Sequence, residues 1–440
     1  MSKKIQGSTQ DSEKNLAYEL RQWLLENDHF ITLADSGDLY MYDHEAGIYR
    51  PGVEPKVRNK LDRHLGRSTN PNLITRVVIS LKDHTYIERS KVLESSSGLL
   101  VVRNGVLDLN TLELQPHTPR RYCLSQIPVV YDVQADCPEF NKWVETTLEP
   151  KYHRVLQQWF GFMIMPGYSY KKALILLGPR HTGKTVLTHI MIAFIGEDNA
   201  RMKNIQSICH RFGAFDLFGA MANICDEQPG GILHNLEEFK KLTGGGHLEG
   251  EMKGAQHKVK FINVAKLCFA CNEFPVVTDD PAFFTRLIAL PFKRQFFPGA
   301  PGTVPRHQME ERLTTPDELS GILNYAILGY LDLQQAERFD FSDDPKEIRD
   351  MCLSYVIEPV ARFVTEKLEF DQSARTEKAF LYHQFELFCD ANGMADKTLE
   401  FDEFFKRLWK FYEQKDIEVR CNVDGDRVRL LRIRVKDPAV

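Results

Sequence analysis

The run KKALILLGPRHTGKTVLTHIMIAFIGED, residues 171–198, decides the fold of this chain. It starts with a short apolar stretch, passes through a loop with two glycines, and continues without glycine or proline until Gly196. A strand, a glycine-containing loop and a helix follow one another in this way where helices cross over a parallel sheet. We therefore predict an α/β fold with a parallel-core sheet built around this run.

The loop GPRHTGKT within this run fits the phosphate-binding pattern G-x-x-x-x-G-K-[ST]. Backbone N–H groups must approach phosphates closely there, a lysine must reach the terminal phosphates, and a hydroxyl must ligate Mg²⁺. We expect ATP and Mg²⁺ as ligands, with Lys184 on the phosphates and Thr185 on the metal. Arg180 and His181 are expected to decorate the loop. The predicted ATP-binding residues are Gly178, Pro179, Arg180, His181, Thr182, Gly183, Lys184 and Thr185.

Polar side chains end two further apolar runs that read as strands. FGAMANICDEQ, residues 218–228, ends in an acidic pair, and KLCFACNEFP, residues 266–275, passes into Asn272. A P-loop ATPase needs a carboxylate near its metal and another group to orient water. Asp226 is predicted to hold Mg²⁺ through water and Glu227 to polarise the attacking water. Asn272 is predicted to sense the terminal phosphate, its alternative being an asparagine that only starts a turn.

Two further segments are open to more than one interpretation. Arg286, in DDPAFFTRLIALPF, precedes an apolar strand and is either an arginine finger for a neighbouring subunit or a plain surface arginine. TGGGHLEGEMKGAQHKVKF, residues 243–261, is glycine-rich and basic, which taken alone is typical of a flexible surface loop.

Composition limits the class of protein. The chain has 440 residues, 43% of them hydrophobic and 27% charged, with a net charge of −5, so a nucleic-acid partner needs a local basic patch. Neither a membrane-length apolar run nor a signal-peptide core is present, which favours a cytoplasmic protein with no membrane partner. The nine cysteines are expected to be free thiols. Cys268 and Cys271 fall three apart on a predicted strand, where burial is favoured over zinc binding.

Five segments are predicted. They are a disordered lead-in at 1–14, a mixed α/β domain at 15–140, an ATPase domain with helical lead-in at 141–310, a helical segment at 311–365 and a winged-helix-like domain at 366–440. The last domain ends in a hairpin whose basic residues either contact DNA phosphates or protect a solvated edge strand. These residues are Arg427, Arg429, Arg432, Arg434 and Lys436.

The order of GPRHTGKT, ICDE, KLTGGG, KLCFACNEFP and FFTRLIALPF resembles superfamily 3 helicases, most of all the helicase portion of phage-, plasmid- and poxvirus-type primase-helicases. The resemblance implies an AAA+ ATPase that assembles into a ring, usually a hexamer, with ATP between subunits. It implies the roles given above for Lys184, Asp226 and Glu227, and the arginine-finger role for Arg286. Residues 243–261 match the family's DNA-gripping hairpin, with Lys253 as its lysine and His257 and Lys258 as weaker candidates. The sequence differs from the family pattern at Thr182, Gly246 and Glu251.

The function implied by this resemblance is ATP-driven unwinding of forked DNA by translocation on single strands, 3′ to 5′, in a virus, phage or plasmid replication system. The chain shows no primase motif, so a separate primase and polymerase are expected as partners. Two alternatives keep the ATPase without unwinding: an enzyme that loads or remodels replication proteins, and a module in which ATP switches origin binding or packaging. RNA stays an alternative to DNA because nothing in the sequence reads the 2′-hydroxyl.

Overall fold

The computed structural model describes residues 2–210, 213–230, 233, 236–251, 258–277, 280–297, 299–300, 303–355, 359–392, 394, 398–413, 419–424 and 427–436. Side chains are described from residue 15 onward, except those of Ser68, His247, residues 249–251 and 258–260, Lys410, Glu413, and residues 421–424 and 427–430. Among the residues described, no helix combines the length and the apolarity that crossing a membrane requires.

The amino-terminal part is a mixed α/β unit, as predicted. Its elements are α1 (Ser2–Asn27), β1 (Phe30–Leu33), β2 (Leu39–Asp43), β3 (Ile48–Arg50), α2 (Glu54–Leu65), α3 (Pro71–His84), β4 (Tyr86–Ile87), α4 (Arg89–Ser96), β5 (Leu99–Val102), β6 (Gly105–Asp108) and β7 (Leu114–Gln115). One sheet has the order β3-β2-β1-β4 and another β5-β6-β7. The pairs β2–β3 and β5–β6 are antiparallel hairpins.

The prediction of a disordered lead-in at 1–14 is wrong for residues 2–14, which lie in α1. The second half of this helix buries Ala17, Leu20 and Leu24 in the amino-terminal core. Once that packed half has formed, each added residue gains a backbone hydrogen bond without a new nucleation cost, and so the helix extends into a polar sequence.

The central part carries the parallel sheet that the P-loop run predicts. Its elements are α5 (Pro138–Thr147), α6 (His153–Ile164), β8 (Ala173–Leu177), α7 (Lys184–Ile195), β9 (Ala200–Arg201), α8 (Ile205–Ile208), β10 (Ala222–Gln228), α9 (Leu236–Thr243), β11 (His247–Glu251), β12 (Lys258–Ile262), β13 (Lys266–Cys271), α10 (Pro281–Phe284) and β14 (Leu287–Pro291). Five strands pair in the order β14-β8-β13-β10-β9, and every neighbouring pair is parallel. As is typical of the inner strands of a parallel sheet, β8 and β13 are buried along their whole length, and all their residues are apolar except the buried lysine that begins β13.

Helices and short strands make up the rest. They are α11 (Arg306–Leu313), α12 (Pro316–Ala336), α13 (Pro345–Leu353), α14 (Pro359–Lys367), β15 (Leu368–Phe370), β16 (Thr376–Glu377), α15 (Lys378–Ala391), α16 (Phe401–Glu413), β17 (Arg420–Asp424), β18 (Arg427–Leu431) and β19 (Ile433–Val435). The predicted terminal hairpin is β17–β18, which are antiparallel. β19 pairs instead with β15.

Two glycines let α12 lie against α6. A Cβ on Gly161 would lie 2.1 Å from the backbone nitrogen of Tyr330, and one on Gly329 would lie 2.0 Å from the carbonyl oxygen of Gln157. A buried carboxylate adds a second connection: Glu318 on α12 accepts hydrogen bonds from the N–H groups of Glu139 and Phe140, in the first turn of α5. Since those N–H groups have no partner within their helix, Glu318 caps α5 from a distant part of the chain.

The apolar core is continuous across the predicted boundaries. Leu107 and Ile127 of the amino-terminal region, Leu176 of the parallel sheet and Phe385 of the carboxy-terminal region belong to one buried cluster. The first hundred residues also form smaller clusters of their own. Cys268 and Cys271 are buried free thiols on β13, as the sequence predicts.

Candidate nucleotide-binding site

The loop between β8 and α7 has the backbone that a phosphate site requires. Gly178 and Gly183 have φ values of +156° and +95°, and Gly183 lies directly before the first residue of α7. A Cβ on Gly178 would lie 2.3 Å from the carbonyl oxygen of Phe292, so only glycine fits there. The first N–H groups of a helix lack partners within it and carry its positive dipole. The loop and α7 together are therefore suited to an anion.

Lys184 is buried and turns back onto its own loop. Its ammonium donates to the carbonyl oxygens of Gly178 and Pro179 over 2.6 and 2.7 Å, and it lies 3.3 Å from the hydroxyl of Thr182. Burial lowers the pKa of Lys184 to about 8, because no carboxylate of the described residues offsets the loss of water around the charge. A phosphate at the loop would supply that missing negative charge. The residues present thus fit the polyphosphate of a nucleotide.

The segment after β14 braces this loop. The backbone N–H of Phe296 donates to the carbonyl of His181 over 2.6 Å, and the side-chain amide of Gln295 donates to the carbonyl of Arg180 over 3.2 Å. Arg180 and His181 are exposed and use their backbone oxygens in these contacts. The sequence analysis missed this brace, since no motif marks residues 292–296.

The acidic pair sits in an irregularity of the sheet. Cys225 of β10 pairs with Phe269 of β13, and Gln228 pairs with Cys271, so the register shifts across Asp226 and Glu227. Both carboxylates are exposed. A bulge of this kind turns side chains out of the regular alternation and is common beside active sites. Asp226 and Glu227 are therefore both available on the surface at the end of β10.

Gln228 holds this end of β10 in place. It is buried, accepts a hydrogen bond from the backbone N–H of Ile205 over 2.8 Å, and donates to the side chain of Gln206 over 2.7 Å. The sequence analysis did not single it out. The sequence does carry a signal for it, because Gln228 is a third polar residue in a row, directly after the acidic pair.

The predicted site residues of three strands meet at one edge of the sheet. Leu177, Cys271 and Gln228 are successive register partners across β8, β13 and β10. Gly178 follows the first of these residues and Asn272, which is half-buried, follows the second. The N–H of Gly178 also donates to the carbonyl of Cys271 over 3.2 Å. The P-loop, the acidic pair and Asn272 therefore share the carboxyl edge, where ligands bind in open parallel sheets.

Arg286 lies at the other edge. Its carbonyl accepts a hydrogen bond from the N–H of Ala173, the first residue of β8, over 2.7 Å. The five residues of β8 put roughly 16 Å between that point and the start of the P-loop. Arg286 is half-buried, and its Nε is buried with no hydrogen-bond partner among the described residues. The structure thus does not bring Arg286 to the nucleotide site of its own chain.

The predicted hairpin has two antiparallel strands, β11 and β12, whose register runs from His247 opposite Ile262 to Glu251 opposite Lys258. Its base is anchored, because Leu248 and Phe261 are buried and opposite one another and the Phe261 ring packs edge-on against Phe218. Lys253 and His257 lie outside the described residues, as does the side chain of Lys258.

The basic residues of the carboxy-terminal hairpin divide into two groups. Arg427 and Arg429 lie on β18, and their side chains are outside the described part. Arg432 is half-buried, while Arg434 is exposed and its guanidinium pairs with Asp371 and, over 3.9 Å, with Glu369. Because the Arg434 guanidinium is exposed, water weakens both ion pairs, and a phosphate could replace these carboxylates at Arg434.

Comparisons with known proteins relate parts of this chain to known families. Residues 9–149 match the family described as "D5 N terminal like", and residues 176–286 match a family of unknown function, DUF5906. No curated protein matches. Three structures titled as apo forms of the NrS-1 C terminal region are 12%, 12% and 13% identical. They cover 76%, 94% and 94% of this chain and 74%, 98% and 98% of their own, with TM-scores of 0.46, 0.45 and 0.47.

The D5 match includes the whole of the amino-terminal α/β domain predicted at residues 15–140. The second match contains the P-loop, the acidic pair, Asn272 and Arg286.

Proposed function

We propose that this protein is an ATP-driven DNA helicase of the superfamily 3, AAA+ type, which works as a ring in the replication of a virus, phage or plasmid. The observation that carries the proposal is the meeting of the P-loop, the Asp226–Glu227 bulge and Asn272 at the carboxyl edge of one parallel sheet. The strand order, in which β8 lies between β14 and β13, supports an ATPase core of this type.

The chemistry proposed for the site follows from these residues. Lys184 and the N–H groups at the start of α7 hold the phosphates, and Thr185 and Asp226 hold Mg²⁺, which would neutralise charge on the phosphates. Glu227, exposed at the bulge, orients the water and draws its proton. Asn272 contacts the terminal phosphate from the next strand. Leu177, Cys271 and Gln228 keep these groups in register.

The position of Arg286 supports a site shared between subunits. An arginine at the far edge of the sheet, with a buried Nε that lacks a described partner, can complete the ATP site of a neighbouring copy. Hydrolysis then depends on assembly. A ring also gives the hairpin of β11 and β12 a place facing DNA, where Lys253, predicted from sequence, would grip the phosphates.

The test measures ATP hydrolysis with and without single-stranded DNA, together with displacement of a labelled strand from a forked duplex. We expect stimulation by DNA and displacement, both abolished by Lys184→Ala. Thr188→Ser serves as the matched control, because Thr188 is buried on the same helix and donates its hydroxyl to the Thr185 carbonyl, a bond that serine keeps. If DNA does not stimulate hydrolysis and no strand is displaced, the helicase proposal is refuted, and an ATPase that loads or remodels proteins is favoured.

A further inference from the structure

A concave surface on the amino-terminal unit has the lining of a nucleic-acid site. It is an open depression of about 720 Å³ between α1 and α2, lined by Trp23, Pro55, Lys56, Asn59, Lys60, Arg63 and His64. Aromatic rings and cations together make up most of this lining. We propose that this surface, the α1–α2 groove, binds single-stranded DNA, with a base stacked on the aromatic pair and the flanking phosphates on the cations of α2.

The aromatic half of the groove is already assembled. The rings of Trp23 and His64 stack with centroids 3.9 Å apart and planes 25° apart, and the Lys60 ammonium lies 5.3 Å from the Trp23 centroid. Trp23 packs in part on the amino-terminal core, whereas His64 is exposed. A nucleobase can therefore extend the stack on the free side of His64. Stacking of this kind tolerates any base, because every base has a π face.

The cationic half follows from the helical spacing of α2. Val57 and Leu61 face the core, and positions 56, 59, 60 and 63 recur at three- and four-residue intervals on another face. Lys56 and Arg63 are exposed, and neither makes an ion pair within the described part of the chain. Seven residues separate them, about 10 Å along the helix, enough for two different phosphates of one strand.

Nearby acids make this a site of moderate charge. Lys60 pairs with Asp28, and Asp62 and Glu26 are exposed on the same two helices. Lys56 and Arg63 therefore supply most of the net attraction. We infer that stacking provides specificity for a single strand, whose bases are accessible, over a duplex, whose bases are not. The proposal does not rest on the helicase function, since the groove contains none of the ATP-site residues.

The experiment uses the full chain carrying Lys184→Ala, without ATP, and follows tryptophan fluorescence while oligothymidylate is added. Trp143 and Trp159 are buried, whereas Trp409 is half-buried on α16, so every variant also carries Trp409→Phe and Trp23 is then expected to dominate the quenching that DNA causes. Trp23→Phe identifies its share. His64→Ala should raise the Kd for oligothymidylate, measured by this quenching, roughly fivefold or more. The double variant Lys56→Ala, Arg63→Ala should depend less on salt, and the slope of log K against log salt should be smaller in magnitude by about 1.4.

The control removes the same charges elsewhere on the unit. Lys91→Ala with Arg103→Ala replaces one exposed lysine and one exposed arginine that do not line the groove, and it should bind as the parent does. Oligouridylate of equal length and thymidine monophosphate separate DNA from RNA and from a free nucleotide. Equal binding by parent, His64→Ala and the double variant would overturn the proposal. So would equal quenching by an oligoglutamate peptide, which would indicate an acidic protein partner, or stronger binding of RNA or of the mononucleotide than of DNA.

Discussion

Lys184 and Arg286 lie at opposite edges of the same parallel sheet. Lys184 follows the carboxyl end of β8, and the carbonyl of Arg286 accepts a hydrogen bond from Ala173 at the amino end of that strand. A single chain therefore presents the candidate nucleotide site at one edge and, near the other, a buried guanidinium nitrogen with no hydrogen-bond partner among the described residues. Both groups can take part in one reaction only if the Arg286 edge of one copy lies against the P-loop edge of the next copy.

The first prediction tests this arrangement by mixing two inactive variants. Arg286→Ala and Glu227→Gln should each abolish ATP hydrolysis alone. In an equal mixture, one interface in four would combine an intact Glu227 with an intact Arg286, so the rate should return to about a quarter of the parent rate. The measurement is steady-state phosphate release after exchange of subunits. A mixture as inactive as its components would mean that Arg286 acts within its own chain or only structurally.

The second prediction concerns the pH dependence of nucleotide binding. Burial lowers the pKa of Lys184 to about 8 in the nucleotide-free protein. Phosphate favours the charged ammonium, so binding raises that pKa and takes up a proton once the pH exceeds about 8. Affinity should be level below pH 8 and fall by up to tenfold for each pH unit above it. Calorimetric titration in buffers of different ionisation enthalpy measures both the affinity and the proton uptake.

Lys184→Arg is the matched variant for this titration, because a guanidinium does not lose its proton in this range. Its affinity is expected to be weaker, since Arg does not fit the Lys184 contacts, but level with pH. A parent curve with no fall between pH 8 and 10 would contradict the assignment of Lys184 to the phosphates.

The third prediction separates hydrolysis from movement. Lys253→Ala should leave ATP hydrolysis without DNA within about twofold of the parent, because Lys253 is not among the ATP-site residues. DNA stimulation and strand displacement should be lost. Lys241→Ala is the control, since Lys241 is exposed on the neighbouring helix α9 and pairs only with Glu238 among the residues described. Unimpaired displacement by Lys253→Ala would assign DNA gripping to another segment.

The fourth prediction concerns the buried carboxylate that caps α5. Glu318→Ala leaves the N–H groups of Glu139 and Phe140 without their acceptor, at a cost of about 2 kcal/mol in the free energy of unfolding. Glu318→Gln keeps one acceptor oxygen and should cost less. The exposed neighbour Asp317 provides the control, and Asp317→Asn should change stability by less than about 0.5 kcal/mol. Thermal unfolding followed by circular dichroism ranks the variants, and equal melting temperatures would refute the capping role.

The fifth prediction tests the close approach of α6 and α12. Gly161→Ala puts a methyl group 2.1 Å from backbone nitrogen, which cannot rotate away, so the helices must separate. We expect a loss of about 3 kcal/mol or more. Gly246→Ala is the control, because its Cβ would meet nothing within 4 Å. Similar melting temperatures for both variants would mean that the two helices are free to shift.

The sequence was most informative where structure is local. GPRHTGKT predicted the strand, loop and helix around Lys184, and the ends of apolar runs predicted that Asp226 and Asn272 lie at one edge. What it could not reveal depends on residues far apart. The bulge at Asp226 and Glu227 exists only in the register between β10 and β13. The bond from Phe296 to His181 joins positions more than a hundred residues apart, and neither residue signals it.

The amino-terminal unit shows a second limit of prediction from sequence, which concerns contacts between helices. The sequence of α2 contains no motif, and the spacing of Lys56, Lys60 and Arg63 is the one signal in it that points to a basic face. What makes the groove distinctive is the stack of Trp23 on His64, which joins two helices that three strands separate along the chain. Patterns along one helix do not predict such contacts.

The contact of Gly161 with Tyr330 and Gly329 also determines where this chain can be cut. A fragment ending at residue 310 would lack α12 and would expose the face of α6 that leads into β8, together with the uncapped start of α5. An expression fragment meant to keep the candidate nucleotide site should therefore run through Ala336, although the last residue that we assign to the ATP site is Arg286. The segment of chain that supports the site is thus longer than the segment that contains its functional residues.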